Sequence, residues 1–263
     1  MTSCLFDAIE SRKVVTCDIP AAYLSAKWPD DVECTLEFEG AMVKLITEIE
    51  PRYEPYVITY NEGTDWEQKV LYAKLRRAVY GTLLGGVLFY KKLKKQLEDW
   101  DFEMNPYDNC VFNKVVDGNQ VTFCFFFDDC KISHVEQEVI DDILTDLNNV
   151  FATKKKRVSV TKGSVHDYLG ITIDYREEGK VKFTMYNFLE DIIAEAPAGM
   201  NGTAVNPARD NLFETQEDTS PPLDMKTVDL FHRTTSLTIV CCKMSKTQYT
   251  GCHSLLVYEG QRP

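Results

Sequence analysis

The feature that most constrains this chain is an apolar run that ends in two adjacent carboxylates. Residues 121–127 are almost all apolar, and Asp128 and Asp129 follow them directly. An earlier apolar run is separated from this one by DGN at 117–119, a strong signal for a tight turn between antiparallel strands. The segment CKISHV follows the carboxylates at once. The sequence therefore predicts that the acidic pair lies in a tight turn between two strands.

Two interpretations of the acidic pair are open. Adjacent carboxylates repel each other and resist desolvation, and Asp is common in turns, so such a pair taken alone is most often a solvated turn. The alternative is half of a Mg²⁺ site, because Mg²⁺ is held by one or two carboxylates together with substrate phosphates. That alternative needs another carboxylate in a similar setting. Asp18, which ends the apolar segment VVTCD, is the candidate, although spacing alone does not make the two strands neighbours.

Composition narrows the class of protein. The chain has 263 residues, of which 44% are hydrophobic and 27% are charged, as in ordinary globular proteins. The sequence has neither an apolar run of the ~20 residues that cross a bilayer nor a secretory signal pattern, so we expect an intracellular, cytoplasmic protein without a membrane partner. Nine cysteines without a C-x-x-C motif indicate reduced thiols. The net charge of −12 argues against a generic nucleic-acid binder.

Apolar periodicity predicts an α+β fold, in which helices cover one face of an antiparallel sheet. Strands or hairpins are expected at 11–19, 33–46, 110–134 and 167–186, and helices at 86–100, 136–151 and 187–197. Residues 47–68 are expected to form a long connection. The segment after about residue 198 is polar and rich in turn residues. We therefore expect one domain over 1–197 and an irregular, connection-like segment over 198–263.

Several segments in this order resemble the reverse transcriptase of copia-type LTR retrotransposons, over roughly residues 12–235. The segments that carry the resemblance are DIPAAYLSA (18–26), LRRAVYGTLLGGVLFYKKL (75–93), FFDDCKISH (126–134), and DYLGITIDY (167–175) with KVKFTMYNFLEDII (180–193). In addition, LFHRTTSL (230–237) is similar to the connection that leads toward RNase H. Any one of these blocks is a weak signal, whereas the ordered set is specific.

The resemblance implies a polymerase palm with truncated fingers. It implies that two Mg²⁺ ions, with Mn²⁺ as the alternative, are held by Asp18, Asp128 and Asp129. It also implies nucleotide-binding roles for Ala22, Tyr23 and Phe127, with Tyr23 excluding a 2′-hydroxyl, and primer or template roles for Tyr80, Gly81 and Phe126. The implied partners are an RNA or DNA template–primer, dNTPs and other parts of a retroelement polyprotein, in the cytoplasm, a virus-like particle or the nucleus.

Other residues keep two further hypotheses open. Leu84 stands near the position where the family usually has a Gln that contacts the incoming nucleotide, and Leu has no side-chain hydrogen-bonding group. A catalytically inactive, degenerate remnant of the element is therefore one alternative. An acidic interaction domain, whose Asp-Asp turn is only a turn, is the other. Basic clusters, such as Lys74 with Arg76 and Arg77, are either solvated surface or part of a template–primer groove.

Overall fold

The computed structural model describes residues 2–153, 156–194, 224–245 and 256–259. The chain divides into two compact units, one of residues 12–163 and one of residues 1–11 with 164–263. The helices are α1 (Thr2–Ile9), α2 (Ala22–Ser25), α3 (Ala41–Ile49), α4 (Leu83–Asp99), α5 (Gln137–Phe151), α6 (Tyr186–Ala194) and α7 (Met225–Ser245), with a 3₁₀ helix at Pro51–Tyr56. The strands are β1 (Lys13–Asp18), β2 (Thr35–Glu39), β3 (Ile58–Tyr60), β4 (Gln68–Lys74), β5 (Glu103–Met104), β6 (Val111–Val116), β7 (Asn119–Phe126), β8 (Asp129–His134), β9 (Ser159–Lys162), β10 (Val165–Tyr168), β11 (Ile171–Asp174), β12 (Lys180–Thr184) and β13 (Leu256–Glu259).

The larger unit is built on a six-stranded antiparallel sheet in the order β5-β6-β7-β8-β1-β9. Alternate residues of its central strands point into one apolar core, because side chains alternate between the two faces of a strand. These residues are Val15, Cys17, Val121, Phe123, Phe125, Cys130 and Ile132, all of them buried. The predicted strand at 11–19 and the hairpins of 110–134 are confirmed.

Two amphipathic helices cover this face of the sheet. In α4, Phe89, Leu93 and Leu97 repeat every four residues and are almost completely buried in the sheet core. In α5 the corresponding residues are Ile140, Leu144, Leu147 and Phe151. The predicted α+β class, with helices on one face of an antiparallel sheet, is confirmed for this unit.

A three-stranded antiparallel sheet in the order β2-β4-β3 completes the larger unit. The hairpin predicted for 33–46 is wrong, because β2 pairs with β4 and the chain after Gly40 forms α3 instead. The alternation that predicted the hairpin belongs to β2 alone. In α3, Met42, Leu45 and Ile49 are spaced by three and four residues, as in a helix, and are exposed. The connection predicted for 47–68 contains the 3₁₀ helix and β3.

The smaller unit contains a second antiparallel sheet, β10-β11-β12-β13. Cys4 and Ala8 of α1 form its core with Ile173, Val181 and Phe183. The strand–turn–strand prediction at 167–186 and the helix at 187–194 are confirmed, while the helix end predicted at 195–197 lies outside the described residues.

The C-terminal segment is more regular than predicted. Residues 225–245 form the long helix α7, so an irregular structure is wrong for that range. The carboxylate of Asp224 accepts the backbone N–H groups of Lys226 and Thr227, an N-cap that marks where the helix begins. The domain boundary predicted at 197/198 lies outside the described residues and stays a prediction. Within the described ranges, every helix is too short or too polar to traverse a lipid bilayer.

Candidate active site

Strand pairing brings the three predicted carboxylates to one edge of the large sheet. β1 and β8 are antiparallel neighbours, and Asp18 is the direct partner of Asp129. Directly paired residues present their side chains to the same face of a sheet. Asp128 immediately precedes Asp129, and its carbonyl oxygen accepts the backbone N–H of Ile19 at 3.0 Å. The condition that sequence spacing left open, that the two strand ends are neighbours, is therefore met.

The turn that carries Asp128 has unusual backbone geometry. It consists of Phe127 and Asp128, between β7 and β8, and Phe127 has a φ of 54°. A positive φ is uncommon for a bulky residue and costs free energy, so it persists only where the surrounding structure imposes it. Phe127 is 46% exposed and its ring contacts that of Phe126, which is 50% exposed. Two aromatic side chains therefore reach solvent beside the carboxylates.

The carboxylates influence each other electrostatically. Partial burial raises the pKa of Asp129 above its usual value, and the negative charges of Asp128 and Asp18 raise it further by a smaller amount. The Nζ of Lys156 lies 3.9 Å from the Asp18 Oδ2, in an exposed pair that contributes little stability. Negative charge is thus concentrated at this edge, and among the described contacts the Lys156 ammonium group is the one positive charge beside it. An added cation would relieve that repulsion.

The carboxylate oxygens are ligands of the kind that a hard divalent cation binds, although they do not form a complete coordination shell. Among the described residues, no three His, Cys, Asp or Glu side chains converge closely enough to form a ready-made metal cluster. Mg²⁺ retains several water ligands and takes others from substrate phosphates, so one or two protein carboxylates are sufficient for it. Asp18, Asp128 and Asp129 are partly exposed and offer oxygen ligands of this type.

An aromatic stack lies next to the carboxylates. The rings of Tyr23 and Tyr80 are nearly parallel, with 4.2 Å between their centroids. Tyr23 is only 7% exposed and also contacts Phe89 and Phe127, whereas Tyr80 is 54% exposed. Burial raises the pKa of Tyr23, and the negative charge of Asp128 adds a smaller contribution in the same direction. The buried ring of Tyr23 therefore packs against the more exposed ring of Tyr80 and supports it.

The Tyr80 hydroxyl donates a hydrogen bond to the Asp128 Oδ2 at 3.0 Å. Burial and this hydrogen bond raise the pKa of Tyr80 to about 12, so the hydroxyl remains a donor at neutral pH. The family resemblance implied a primer or template role for Tyr80, and a contact with Asp128 was not predicted. The two residues are 48 positions apart in the chain, so the contact is a tertiary one that no local pattern announces.

Two basic residues fasten α2, the short helix that carries Tyr23. The carbonyl oxygen of Ser25 at its C-terminal end accepts hydrogen bonds from Arg77 at 3.0 Å and from Lys92 at 2.9 Å. Cations at a helix C-terminus satisfy its unpaired carbonyl groups. Burial, with the charge of Arg77, lowers the pKa of Lys92. These members of the basic clusters have structural partners, which their sequence pattern did not indicate.

The remaining predicted residues differ in what they can contact. Ala22 is completely buried, and its nucleotide-binding role stays a prediction. Gly81 has a φ of 87°, a backbone conformation that favours glycine, in the turn before α4. Leu84, which stands near the position where the resemblance implies a Gln, packs against the main core. The nucleotide and primer roles of Tyr23, Phe126, Phe127 and Gly81 stay predictions.

A basic pocket lies elsewhere in the larger unit. It has a volume of about 560 Å³ and is lined by Lys27, Trp28, Pro29, Asp30, Lys74, Leu75, Arg76 and Arg77. Lys27 pairs with Asp30 at 2.6 Å, and Lys74 pairs with Glu33 at 3.2 Å. The pocket thus joins one predicted basic cluster to the segment that follows α2.

We expect replacement of Gly85 by Ala to destabilise the larger unit. An added Cβ would lie 2.6 Å from the Thr82 Oγ1 and 2.8 Å from the backbone oxygen of Val79, and a backbone oxygen yields little. Overpacking costs ~1–3 kcal/mol, against a helix-propensity gain of ~1 kcal/mol for Ala over Gly. The free energy of unfolding in urea should therefore fall by up to about 2 kcal/mol in Gly85→Ala.

Gly86→Ala is the matched control for that substitution. Its added Cβ would meet the Phe127 ring at 3.1 Å and the Tyr23 hydroxyl at 3.2 Å, which are longer approaches than those at Gly85 and involve side chains rather than backbone. We expect a smaller loss of stability than in Gly85→Ala. A Gly85→Ala chain as stable as Gly86→Ala would contradict the close packing around Gly85.

Comparisons with known proteins identify the family. The family model described as reverse transcriptase (RNA-dependent DNA polymerase) matches residues 47–209, more than half of the chain. The match contains Tyr80 and the turn with Asp128, and begins after Asp18. No curated protein matches the chain.

A solved structure is also similar, at a distance. It is that of apo telomerase from Candida tropicalis truncated from its C-terminal domain, with 11% identity and a TM-score of 0.35. The similarity covers 66% of this chain and 37% of the telomerase chain, too remote to support an argument about function. The match to the family model is what decides the assignment. The chain belongs to the reverse transcriptase (RNA-dependent DNA polymerase) family.

Proposed function

We propose that this chain is the RNA-directed DNA polymerase domain of a copia-type LTR retrotransposon. Its reaction is nucleotidyl transfer from a dNTP to a primer 3′ hydroxyl on an RNA or DNA template. The observation that carries the proposal is the direct pairing of Asp18 with Asp129, with Asp128 in the adjoining turn. The family assignment and the ordered copia-like segments support it. Other parts of the retroelement polyprotein are its proposed partners.

Asp18, Asp128 and Asp129 are the proposed ligands of two Mg²⁺ ions, with Mn²⁺ as the alternative. Bound there, the ions would neutralise charge on the attacking hydroxyl and on the pyrophosphate leaving group. The chain's own contribution is to hold three carboxylates on two neighbouring strand ends and to place aromatic rings beside them. Positioning and charge neutralisation account for most catalysis of this type.

The distribution of charge is compatible with a polyanionic substrate. Residues 30–67 contain eleven Asp or Glu and two Lys or Arg, so nine of the twelve net negative charges belong to this one segment. The rest of the chain is close to neutral, and local fields matter more to a charged ligand than the total does. The net charge of −12 is therefore a weaker objection to nucleic-acid binding than the total alone indicates.

The basic pocket is the proposed contact for phosphate groups of template, primer or dNTP. Lys27, Lys74, Arg76 and Arg77 place four cationic side chains around it, and Arg and Lys supply most phosphate contacts in nucleic-acid complexes. Trp28 gives the pocket one aromatic wall, although its ring nitrogen already donates to the Val32 carbonyl at 2.8 Å. This cluster supports binding of an anionic polymer, without base selectivity.

Primer extension tests the proposed function. The purified chain is given a poly(rA) template with an oligo(dT) primer and dTTP, in Mg²⁺, in Mn²⁺ or in a chelator. We expect incorporation with either cation and none with the chelator. Absence of incorporation in all arms would favour the second candidate, a catalytically inactive remnant. The packing of Leu84 into the core, where the family has a nucleotide-contacting Gln, is the observation that favours that candidate.

We expect Tyr23→Val to weaken selection against ribonucleotides. In the proposed role the ring excludes the 2′-hydroxyl, and a shorter side chain would leave room for it. Steric discrimination of one hydroxyl is worth about 10–100-fold, so the ratio of UTP to dUTP incorporation should rise by about that factor. Tyr90→Val removes a half-buried ring from α4 and is the control. An unchanged ratio in Tyr23→Val would rule out the role of Tyr23 in sugar selection.

A further inference from the structure

We propose that Tyr80 is a positioning residue for Asp128, whose carboxylate it holds in the orientation that binds a divalent cation. The inference rests on the proposed function and adds a residue to its machinery. The observation behind it is the 3.0 Å hydrogen bond from the Tyr80 hydroxyl to the Asp128 Oδ2. Three features of the structure support a positioning role.

The first feature is that the donor is itself anchored. The Tyr80 ring is stacked on Tyr23, with 4.2 Å between centroids and 10° between planes. Tyr23 is 7% exposed and lies between Tyr80 and the core residue Phe89. Its helix is tied down by Arg77 and Lys92 through the Ser25 carbonyl. The hydroxyl of an otherwise exposed side chain is therefore held in one place.

The second feature is that the acceptor needs orientation. Asp128 is the second residue of a two-residue turn, after Phe127 at a φ of 54°. Its backbone carbonyl is fixed by the N–H of Ile19, which leaves the side-chain torsions to be set separately. A free carboxylate at a turn samples several rotamers, and ordering it on cation binding costs free energy. A hydrogen bond from Tyr80 removes part of that cost in advance.

The third feature is that the contact leaves the carboxylate able to bind a cation. Two carboxylate oxygens offer about four lone-pair sites, and one hydroxyl uses a single site. Carboxylates that ligate metals are commonly hydrogen-bonded by an outer partner, and loss of that partner costs about 10–100-fold in affinity or activity. The Tyr80 hydroxyl has the geometry of such a partner.

Tyr80→Phe tests the inference because it removes the hydroxyl and keeps the stacked ring. Tyr90→Phe is the matched control, since the Tyr90 hydroxyl donates to the Asn109 carbonyl at 3.1 Å and not to one of the three carboxylates. Two readouts are measured on the full-length chain. One is the Mg²⁺ dissociation constant by titration calorimetry without nucleic acid. The other is primer extension as a function of Mg²⁺ concentration, with kcat and the KM for dTTP.

In Tyr80→Phe we expect the Mg²⁺ dissociation constant and the half-activating Mg²⁺ concentration to rise about tenfold. At limiting Mg²⁺ the kcat should fall, high Mg²⁺ should restore most of it, and the KM for dTTP should stay within about twofold of wild type. Tyr90→Phe should match wild type in every readout. Weaker Mg²⁺ binding with an unchanged KM for dTTP is not expected from a general loss of folded protein, which would lower activity at every Mg²⁺ concentration.

Two results would overturn the inference while leaving the proposed function intact. One is a Tyr80→Phe chain that equals Tyr90→Phe in Mg²⁺ binding and in activity. The other is a Tyr80→Phe chain that binds Mg²⁺ more tightly than wild type, which would make the hydrogen bond a restraint that the cation must break. A wild-type chain that neither binds Mg²⁺ nor extends a primer would refute the proposed function and this inference with it.

Discussion

Asp128→Asn should abolish primer extension by the chain, with a loss of about 1,000-fold or more in kcat. The substitution removes one negative charge from the carboxylate edge and keeps the size of the side chain. An amide is a poor ligand for Mg²⁺ compared with a carboxylate, and its neutral oxygen cannot balance the charge of a second cation. The measurement is steady-state extension of the oligo(dT) primer on poly(rA).

The fold should tolerate Asp128→Asn. The amide oxygen can still accept the hydrogen bond from Tyr80, and removing the charge relieves the repulsion that helps to raise the pKa of Asp129. The free energy of unfolding should stay within about 0.5 kcal/mol of wild type. A loss of activity accompanied by unfolding would not count in favour of the catalytic role.

Asp117→Asn is the matched control for Asp128→Asn. Asp117 is an exposed aspartate in the turn at the other end of β7, with a φ of 50°, a conformation that Asn adopts readily. The control makes the same change of charge on the same strand, away from the carboxylate edge. We expect wild-type activity from it. Equal activity in Asp117→Asn and Asp128→Asn would contradict the catalytic assignment.

Phe89→Ala should be the most destabilising single truncation in the larger unit, at about 3–5 kcal/mol. The ring is 1% exposed and contacts the rings of Tyr23 and Phe151. It therefore joins α4 both to α5 and to the helix that carries Tyr23. Removing it leaves a cavity whose walls belong to three helices, which cannot all collapse inward. Total stability is typically 5–15 kcal/mol, so this loss is a large fraction of it.

Urea denaturation monitored by tryptophan fluorescence measures the free energy of unfolding of the larger unit selectively. All three tryptophans of the chain, Trp28, Trp66 and Trp100, belong to the unit of residues 12–163. Val87→Ala, on the exposed side of the same helix, is the control and should cost less than about 0.5 kcal/mol. A Phe89→Ala chain that loses no more than Val87→Ala would contradict the packing described for α4.

The sequence predicted those parts of the fold that local patterns encode. The apolar spacing of α4 and α5 and the DGN turn were sufficient to place two helices and a hairpin. Local patterns failed at the glycine that follows β2. The alternation of β2 was extended across Gly40 into a second strand, whereas the chain after Gly40 forms α3. Pairing of β2 with β4 is a long-range choice that no local pattern encodes.

The candidate site was likewise predictable from the sequence only in part. Asp18 and Asp128 could be recognised because each ends an apolar run, and the family-like segments named the same residues. Their proximity could not be derived, since β1 and β8 are separated by more than a hundred residues of chain. The contact of Tyr80 with Asp128 and the fastening of Ser25 depend on tertiary packing. Neither leaves a motif in the sequence.

The central claim is that Asp18 and Asp128 bind divalent cations together. The most direct measurement is a crystal structure of the chain with primer–template, a non-hydrolysable dNTP analogue and Mn²⁺, with Mn²⁺ located by anomalous scattering. We predict two anomalous peaks at the strand ends, with carboxylate oxygens of Asp18 and Asp128 among the ligands. Density for bound nucleotide with no Mn²⁺ at these carboxylates, or with Mn²⁺ held by neither of them, would contradict the account.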